Sequence, residues 1–342
     1  MNAIVHPPSS SSLLEMRGLQ VEFDTWDGRV RVIESLGLDL EPGETLCIVG
    51  ESGCGKSMTA LAIMGLVPQP TGHITGGSIR LQGENLVCAE PARMQQVRGN
   101  KIAMIFQEPM TSLNPVYTVG EQIAEALRLH KGMAGDQAHS KAIEALRAVH
   151  IPEAERRVDD YPHQFSGGMR QRVMIAIALA CEPKILIADE PTTALDVTVQ
   201  AQIFDLLQDL REAHGTALIL ITHDMGAVAE MADRVIVMYA GRKVEEGRVE
   251  DILERPAHPY TQGLLACRPR LVLGEVAMRK PLAEIPGVVP PLHMLGTGCA
   301  FSPRCAHAMP RCASAAPGEI TLGEGHTVAC WLLEKKAESA PS

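Results

Sequence analysis

The feature that most constrains the fold of this chain is a glycine-rich octapeptide, Gly50-Glu51-Ser52-Gly53-Cys54-Gly55-Lys56-Ser57. It matches the pattern G-x-x-x-x-G-K-[ST], the P-loop, which lies between a buried strand and the start of a helix. Both flanks meet that condition, because residues 45–49 are an apolar run and residues 57–64 contain no glycine or proline. The glycines allow backbone N–H groups to turn inward toward phosphate oxygens at the positive end of the helix. The P-loop therefore predicts an α/β fold that binds a nucleoside triphosphate.

Two residues at the end of the P-loop have specific predicted roles. Lys56 would reach the β- and γ-phosphates, and Ser57 would ligate Mg²⁺. The predicted nucleotide contacts comprise the whole loop and the residue after it: Gly50, Glu51, Ser52, Gly53, Cys54, Gly55, Lys56, Ser57 and Met58.

A second apolar run, residues 185–188, follows Lys184 and ends in Asp189 and Glu190. Beside a P-loop, Asp189 would hold Mg²⁺ through its water shell, opposite Ser57. Glu190 would act as the general base that polarises the attacking water. Alone, an acidic pair after an apolar run is weak evidence, since it also occurs at solvated sheet edges. Behind a P-loop, the two acids predict hydrolysis of the bound nucleotide.

Composition limits the function classes. A formal net charge of −10 argues against a protein that coats nucleic acid. The longest apolar run, residues 173–181, is too short to cross a bilayer, so any membrane role would be peripheral. Residues 1–12 lack the charged and apolar regions of a signal peptide, and we expect a disordered leader there. Nine cysteines without a secretion signal indicate a reducing compartment.

Further motifs stand in a fixed order around the acidic pair. Ser166-Gly167-Gly168 precedes it and opens a predicted helix, which makes a second anion-binding helix start. With Gln107 upstream and Asp196 and His223 downstream, the set resembles the motifs of ABC-type ATPases over residues 20–245. The resemblance implies a P-loop NTPase core with an antiparallel β subdomain and a helical subdomain.

The resemblance also implies roles for these residues. Ser166, Gly167 and Gly168 would cap ATP held on the P-loop of a partner in a head-to-tail dimer, with Asp196 as the D-loop residue. His223 would bond the γ-phosphate and hold Glu190 and the water in line. Gln107 would touch both the metal shell and the water. The implied catalytic set is Glu190, His223, Gln107 and Lys56, and the implied Mg²⁺ ligands are Ser57, Gln107 and Asp189.

The adenine base requires an aromatic or apolar platform before the P-loop. Phe23 and Trp26 are the two candidates, and the sequence does not separate them.

Two amphipathic segments follow Gln107. Thr118-Val119-Gly120-Glu121 is a T-x-x-E capping box that predicts a helix ending at Lys131, with Gly132 after it. Apolar residues at helical spacing predict a second helix over residues 140–149. Both would belong to a helical insert, about residues 108–165, which in the family docks on a transmembrane partner.

Residues 106–115, and Met169 after the two glycines, resemble the oligopeptide/dipeptide importer branch, in particular its D-type subunit. That likeness implies import of di- or oligopeptides at the cytoplasmic face of the inner membrane. The implied partners are an F-type ATPase subunit forming a heterodimer, two transmembrane permeases and an extracytoplasmic substrate-binding protein, with no nucleic acid. The same machine importing nickel or glutathione remains an alternative. A soluble, non-transport ABC ATPase is disfavoured by the single P-loop and the negative charge.

The ATPase domain is predicted over residues 13–250 and a C-terminal extension over residues 251–342. The extension opens with Pro256-Ala257-His258-Pro259-Tyr260-Thr261, which resembles the H-P-Y-T element of the branch, and then becomes rich in proline and glycine. It carries four cysteines at the spacing C-x5-C-x6-C-x17-C: Cys299, Cys305, Cys312 and Cys330. This spacing lacks the C-x2-C pairs of most zinc ribbons. The branch resemblance points to a [4Fe–4S] cluster, with zinc or unmetallated thiols as alternatives.

Overall fold

A computed structural model describes residues 12–26, 28–108, 112–193, 195–267 and 284–337. The predicted leader, apart from Ser12, lies outside the described residues. So do residues 109–111, which follow Gln107, and Ala194, which precedes Leu195 and Asp196.

The strands are β1 (Leu14–Thr25), β2 (Gly28–Leu40), β3 (Thr45–Val49), β4 (Gly72–Leu81), β5 (Glu84–Asn85), β6 (Ile102–Ile105), β7 (Ile185–Asp189), β8 (Ala217–Ile221), β9 (Arg234–Tyr239), β10 (Arg242–Arg248), β11 (Ile320–Gly323) and β12 (His326–Val328). They form two sheets in the described part of the chain. The order of the smaller, antiparallel sheet is β2-β1-β4-β5, and that of the larger is β11-β12-β10-β9-β3-β8-β7-β6.

The helices are α1 (Lys56–Ile63), α2 (Pro91–Val97), α3 (Val119–Lys131), α4 (Gly135–Ala148), α5 (Ala154–Arg157), α6 (Gly167–Leu179), α7 (Val197–His214), α8 (Met225–Met231), α9 (Val249–Glu254), α10 (Pro259–Ala266), α11 (Pro310–Ser314) and α12 (Trp331–Ala337). Short 3₁₀ turns cover Pro162–Gln164, Leu292–Met294 and Ser302–Arg304. Within the described residues, no helix is both long and apolar enough to cross a membrane.

The centre of the larger sheet is parallel. Strands β6, β7, β8, β3 and β9 pair in parallel, and every residue of β3, β7 and β8 is buried. Strands covered on both faces are apolar throughout, and this explains the unbroken runs in the sequence. Because β3 and β7 run in the same direction, the P-loop and the acidic pair emerge at the same edge of the sheet.

The helical insert follows the sequence prediction in part. Helix α3 begins after Thr118, whose hydroxyl accepts a hydrogen bond from the Glu121 N–H at 3.2 Å, and it ends before Gly132 at φ 64°. Helix α4 begins at Gly135, five residues before the predicted start at residue 140. Its N-cap position holds Ala134, which offers no side-chain acceptor, so the sequence carried no signal for that start.

The C-terminal extension is joined to the ATPase sheet. Strand β12 pairs with β10 at Glu245↔Val328 and Glu246↔Thr327, and β11 pairs with β12. The buried carboxylate of Glu245 accepts hydrogen bonds from the backbone of Ala257 and His258, and one from the His326 ring at 2.9 Å. The extension therefore continues the fold of the core across the predicted boundary near residue 250.

Candidate functional site

The P-loop backbone adopts conformations that require glycine. Gly50 has φ 153°, and a Cβ there would lie 2.2 Å from the carbonyl oxygen of Met238 on β9. Gly55 has φ 102° and stands at the N-cap of α1, where a Cβ would approach the Val32 carbonyl oxygen at 3.2 Å. The loop thus packs backbone to backbone against its neighbours, with the N terminus of α1 directed into its concave side.

The residues predicted to hold Mg²⁺ meet across two strands. The Ser57 hydroxyl at the start of α1 donates to Asp189 Oδ1 at the end of β7, at 3.0 Å. Burial raises the pKa of Asp189; the Ser57 hydrogen bond opposes this effect, and the nearby Glu190 carboxylate adds to it. A partly buried hydroxyl beside a buried carboxylate provides oxygen donors suited to Mg²⁺. Lys56 Nζ donates to the carbonyl oxygens of Gly50 at 2.8 Å and Glu51 at 3.2 Å.

Glu190 is the centre of a cluster of polar side chains. Its Oε2 accepts hydrogen bonds from Gln107 Nε2 and from Thr193 Oγ1, each at 3.0 Å. Its Oε1 lies 3.6 Å from His223 Nδ1. The Glu190 backbone has φ 46° and donates to the Ile221 carbonyl oxygen at 2.9 Å. A glutamate held in this rare conformation between two sheet strands is a strained residue, and such strain concentrates at functional sites.

The structure therefore brings Gln107, Asp189, Glu190 and His223 to one edge of the sheet beside Lys56 and Ser57. Thr193 belongs to the same cluster and was missed by the sequence reasoning. Its position three residues after Glu190, in a turn, was the available signal.

The Ser-Gly-Gly segment forms a separate helix start. Ser166 is the exposed N-cap of α6, and its hydroxyl accepts a hydrogen bond from the Met169 N–H at 3.4 Å. A Cβ at Gly168 would lie 2.8 Å from the side chain of Val199 on α7. Asp196 caps α7 by accepting from the Val199 N–H at 3.0 Å. Helix α6 therefore packs against the first turn of α7, and Ser166 faces solvent.

The two candidate adenine platforms occupy different environments. Phe23 lies on β1 opposite Val30 and Gly72 and packs partly buried against the apolar core. Trp26 lies beyond the end of β1 with its side chain fully exposed. Met58, the residue after the loop, lies on α1 and packs partly buried against the same core.

The four C-terminal cysteines converge without forming a closed metal site. Cys299, Cys305, Cys312 and Cys330 line one small cavity, together with His258, Phe301 and Trp331. Burial raises the pKa of Cys330 to about 11, and the three other cysteines contribute. Within the described ranges, no three His, Cys, Asp or Glu side chains are grouped so that they could hold a metal ion. The thiols fit a soft metal or an iron–sulfur cluster by donor type, while their arrangement is not that of a formed site.

The extension also contacts the P-loop directly, which the sequence reasoning missed. Both terminal guanidinium nitrogens of Arg304 pair with the Glu51 carboxylate oxygens. The Tyr260 hydroxyl accepts a hydrogen bond from the Glu51 N–H at 2.9 Å. These partners are separated by more than 200 positions in the sequence, and no local pattern marks them.

Comparison with known proteins gives consistent findings. The ABC transporter family matches residues 33–193, and the family described as "Oligopeptide/dipeptide transporter, C-terminal region" matches residues 244–312. A probable peptide ABC transporter ATP-binding protein of Sinorhizobium fredii is 50% identical over 324 residues, which cover 95% of this chain and 96% of the relative. The dipeptide transport ATP-binding protein DppD of Bacillus subtilis is 48% identical over 328 residues, covering 96% and 97%. A dimeric ATP-binding cassette, solved in a post-hydrolysis state bound to ADP and Pi, superimposes with a TM-score of 0.62 at 28% identity, covering 69% of this chain and 98% of that one.

Proposed function

The chain belongs to the ABC transporter family, in the branch with the oligopeptide/dipeptide transporter C-terminal region, and we propose that the site around Glu190 drives its transport cycle. It is an ATPase subunit of a peptide importer, and it works with membrane permease partners. The family and the fold predicted from the sequence are both confirmed.

The observation that carries the proposed mechanism is the cluster on Glu190. Gln107 and Thr193 donate to one carboxylate oxygen, which leaves the other oxygen, beside His223, for a water molecule. In hydrolysis, the water oxygen bonds to the γ-phosphorus as the bond to the ADP oxygen breaks, and Glu190 takes the water proton. Lys56 and the P-loop N–H groups bind the phosphates, and His223 orients the γ-phosphate. Ser57 and Asp189 would hold Mg²⁺, which neutralises phosphate charge when bound.

The dimer and its partners form the next part of the proposal. Ser166 is an exposed helix N-cap, and a second phosphate-binding helix start in one chain requires a second nucleotide. We propose a head-to-tail heterodimer with an F-type subunit, in which the Ser166 segment caps ATP on the partner. Two permeases contact the helical insert, an extracytoplasmic binding protein delivers peptide, and the complex lies at the cytoplasmic face of the inner membrane. The division into residues 13–250 and 251–342 and the insert at residues 108–165 stay proposals.

Two finer assignments are also proposed. Trp26 stacks on adenine, since its ring is exposed whereas Phe23 packs on the core. The four cysteines bind a [4Fe–4S] cluster, with zinc as the alternative, because all four thiols line one cavity. Iron and acid-labile sulfide measured after anaerobic purification test the cluster; protein that contains neither, but contains stoichiometric zinc, would favour the alternative.

The transport proposal is tested by Glu190→Gln in cells supplied with labelled dipeptides, oligopeptides, glutathione or nickel. The amide cannot accept the water proton, so we expect ATP binding to persist while turnover falls by at least about a hundredfold. Uptake of peptide should be lost. Glu212→Gln, an equivalent change at an exposed position on α7, is the control that should retain uptake. Loss of nickel or glutathione uptake alone would show that this compound, rather than peptide, is the cargo, and full uptake of every compound by the Glu190 variant would refute the mechanism.

A further inference from the structure

Arg304 joins the C-terminal extension to the P-loop. It lies at the end of the 3₁₀ turn Ser302–Arg304 and immediately precedes Cys305. Its Nη1 lies 2.6 Å from Glu51 Oε2 and its Nη2 lies 3.0 Å from Glu51 Oε1. This is a two-point pairing of a guanidinium with a carboxylate, the geometry that fixes both position and orientation.

The guanidinium is itself held firmly. The Arg304 side chain is only 4% exposed. Its Nε donates to the Pro286 carbonyl oxygen at 2.8 Å, its Nη2 to the Ile285 carbonyl oxygen at 3.2 Å, and its Nη1 to the Tyr239 hydroxyl at 3.4 Å. Two of these acceptors are backbone carbonyls of the extension and the third belongs to β9. Arg304 is therefore held in place by contacts that do not involve Glu51.

A second contact fixes the backbone at the same point. The Tyr260 hydroxyl accepts from the Glu51 N–H, and the Glu51 carbonyl oxygen accepts from Lys56 Nζ. The Tyr260 ring is fully buried and packs edge-on against Tyr239 at 4.8 Å between centroids. Side chain, N–H and carbonyl of Glu51 are thus each engaged, and the last of these contacts is to the lysine that binds phosphate.

The charges of Glu51 and Arg304 bear directly on the affinity of the P-loop for ATP. Glu51 places a carboxylate inside a loop that binds a polyanion, and an unpaired carboxylate there would repel the triphosphate. Arg304 pairs with this carboxylate and offsets its charge. We propose that Arg304 and Tyr260 are positioning residues for the ATP site, through which the C-terminal extension sets the affinity of the P-loop for nucleotide in the same chain.

The test is Mg-ATP binding and steady-state hydrolysis by the full-length chain, purified anaerobically with its partner subunits. We expect Arg304→Ala to raise the Kd and KM for ATP about tenfold, with kcat changed less than about threefold, since the repulsion acts on binding. Arg304→Lys keeps the charge without the fork and should give an intermediate Kd. Tyr260→Phe removes the hydroxyl alone and should raise Kd about threefold. These two variants decide the matter if Arg304→Ala does not fold.

A double variant separates positioning from mere stabilisation of the extension. If Arg304 offsets the Glu51 charge, then Glu51→Gln combined with Arg304→Ala should bind ATP more tightly than Arg304→Ala alone. Arg311→Ala is the matched control, because Arg311 stacks on Trp331 and pairs with Glu334 inside the extension without touching the P-loop. Its Kd should equal that of the wild type.

An unchanged Kd in the Arg304 and Tyr260 variants would overturn the proposal, and so would a double variant that binds no better than Arg304→Ala. The proposal rests on the ATP site described above. Wild-type protein that binds no ATP would therefore overturn both, whereas normal binding in every variant overturns the positioning role alone.

Discussion

Thr193→Val removes one of the two hydrogen bonds that orient the Glu190 carboxylate. The change replaces a hydroxyl by a methyl group, so it deletes the 3.0 Å hydrogen bond to Oε2. A hydrogen bond to a charged acceptor contributes about 1.5–3 kcal/mol. Because Gln107 still donates to the same oxygen, we take the lower value, about 1.5 kcal/mol, which corresponds to about tenfold in rate.

Steady-state ATP hydrolysis over a range of ATP concentrations measures this effect. We expect kcat to fall about tenfold and KM to change less than about twofold, because Thr193 orients the base and makes no contact with the P-loop lysine. Thr216→Val is the matched control: Thr216 is buried and donates to the Pro183 carbonyl oxygen at 3.0 Å, away from the site. It should reduce stability by about 1 kcal/mol and leave kcat unchanged. A Thr193 variant whose kcat stays within about twofold of wild type would refute the reasoning.

Three other perturbations test the structure around the site. Arg234→Met leaves Glu44 and Asp39 without the cation between them and should lower the free energy of unfolding by about 3 kcal/mol in urea titrations. Arg255→Met, at an exposed pair with Asp251, should change that free energy by less than about 0.5 kcal/mol. Equal losses in the two variants would contradict the argument. Gly50→Ala places a Cβ against the Met238 carbonyl oxygen, so it should abolish detectable ATP binding and lower the melting temperature by several degrees. Gly43→Ala, whose Cβ meets no atom within 4 Å, should retain ATP binding. A Gly50 variant that binds ATP would disprove the close packing. Thr118→Ala removes the N-cap of α3 and should destabilise the protein by about 1 kcal/mol, and Thr118→Ser should restore most of this loss. An unchanged unfolding midpoint in Thr118→Ala would show that the cap contributes nothing.

The parts of the fold that could be predicted are those whose signal is local. The apolar runs before the P-loop and before Asp189 became β3 and β7, because strands covered on both faces must be apolar throughout. The capping box at Thr118 and the glycine at 132 gave both ends of α3, because each supplies a specific backbone partner or conformation. The predicted contacts among Gln107, Glu190 and His223 follow from the edge of the sheet at which parallel strands end.

The parts that could not be predicted depend on distant pairings. Arg304 and Glu51 lie at opposite ends of the chain, and their pairing follows from tertiary packing alone. Strand β12 has only three residues, too few for a periodicity to be recognised. The end of the ATPase domain was predicted at residue 250 from a change in composition, which carries no sign that β10, just before it, is a paired inner strand of the larger sheet.

The addition of β12 to β10 has a consequence for biosynthesis. During translation, β10 emerges with one edge unpaired, and its partner strand arrives only after about 80 further residues. Throughout that interval an open strand edge is available to pair with other chains, and Glu51 has no Arg304 to hold it. A nascent or truncated chain that ends near residue 250 should therefore be prone to aggregation, and its P-loop should reach full affinity for ATP only when the last segment docks.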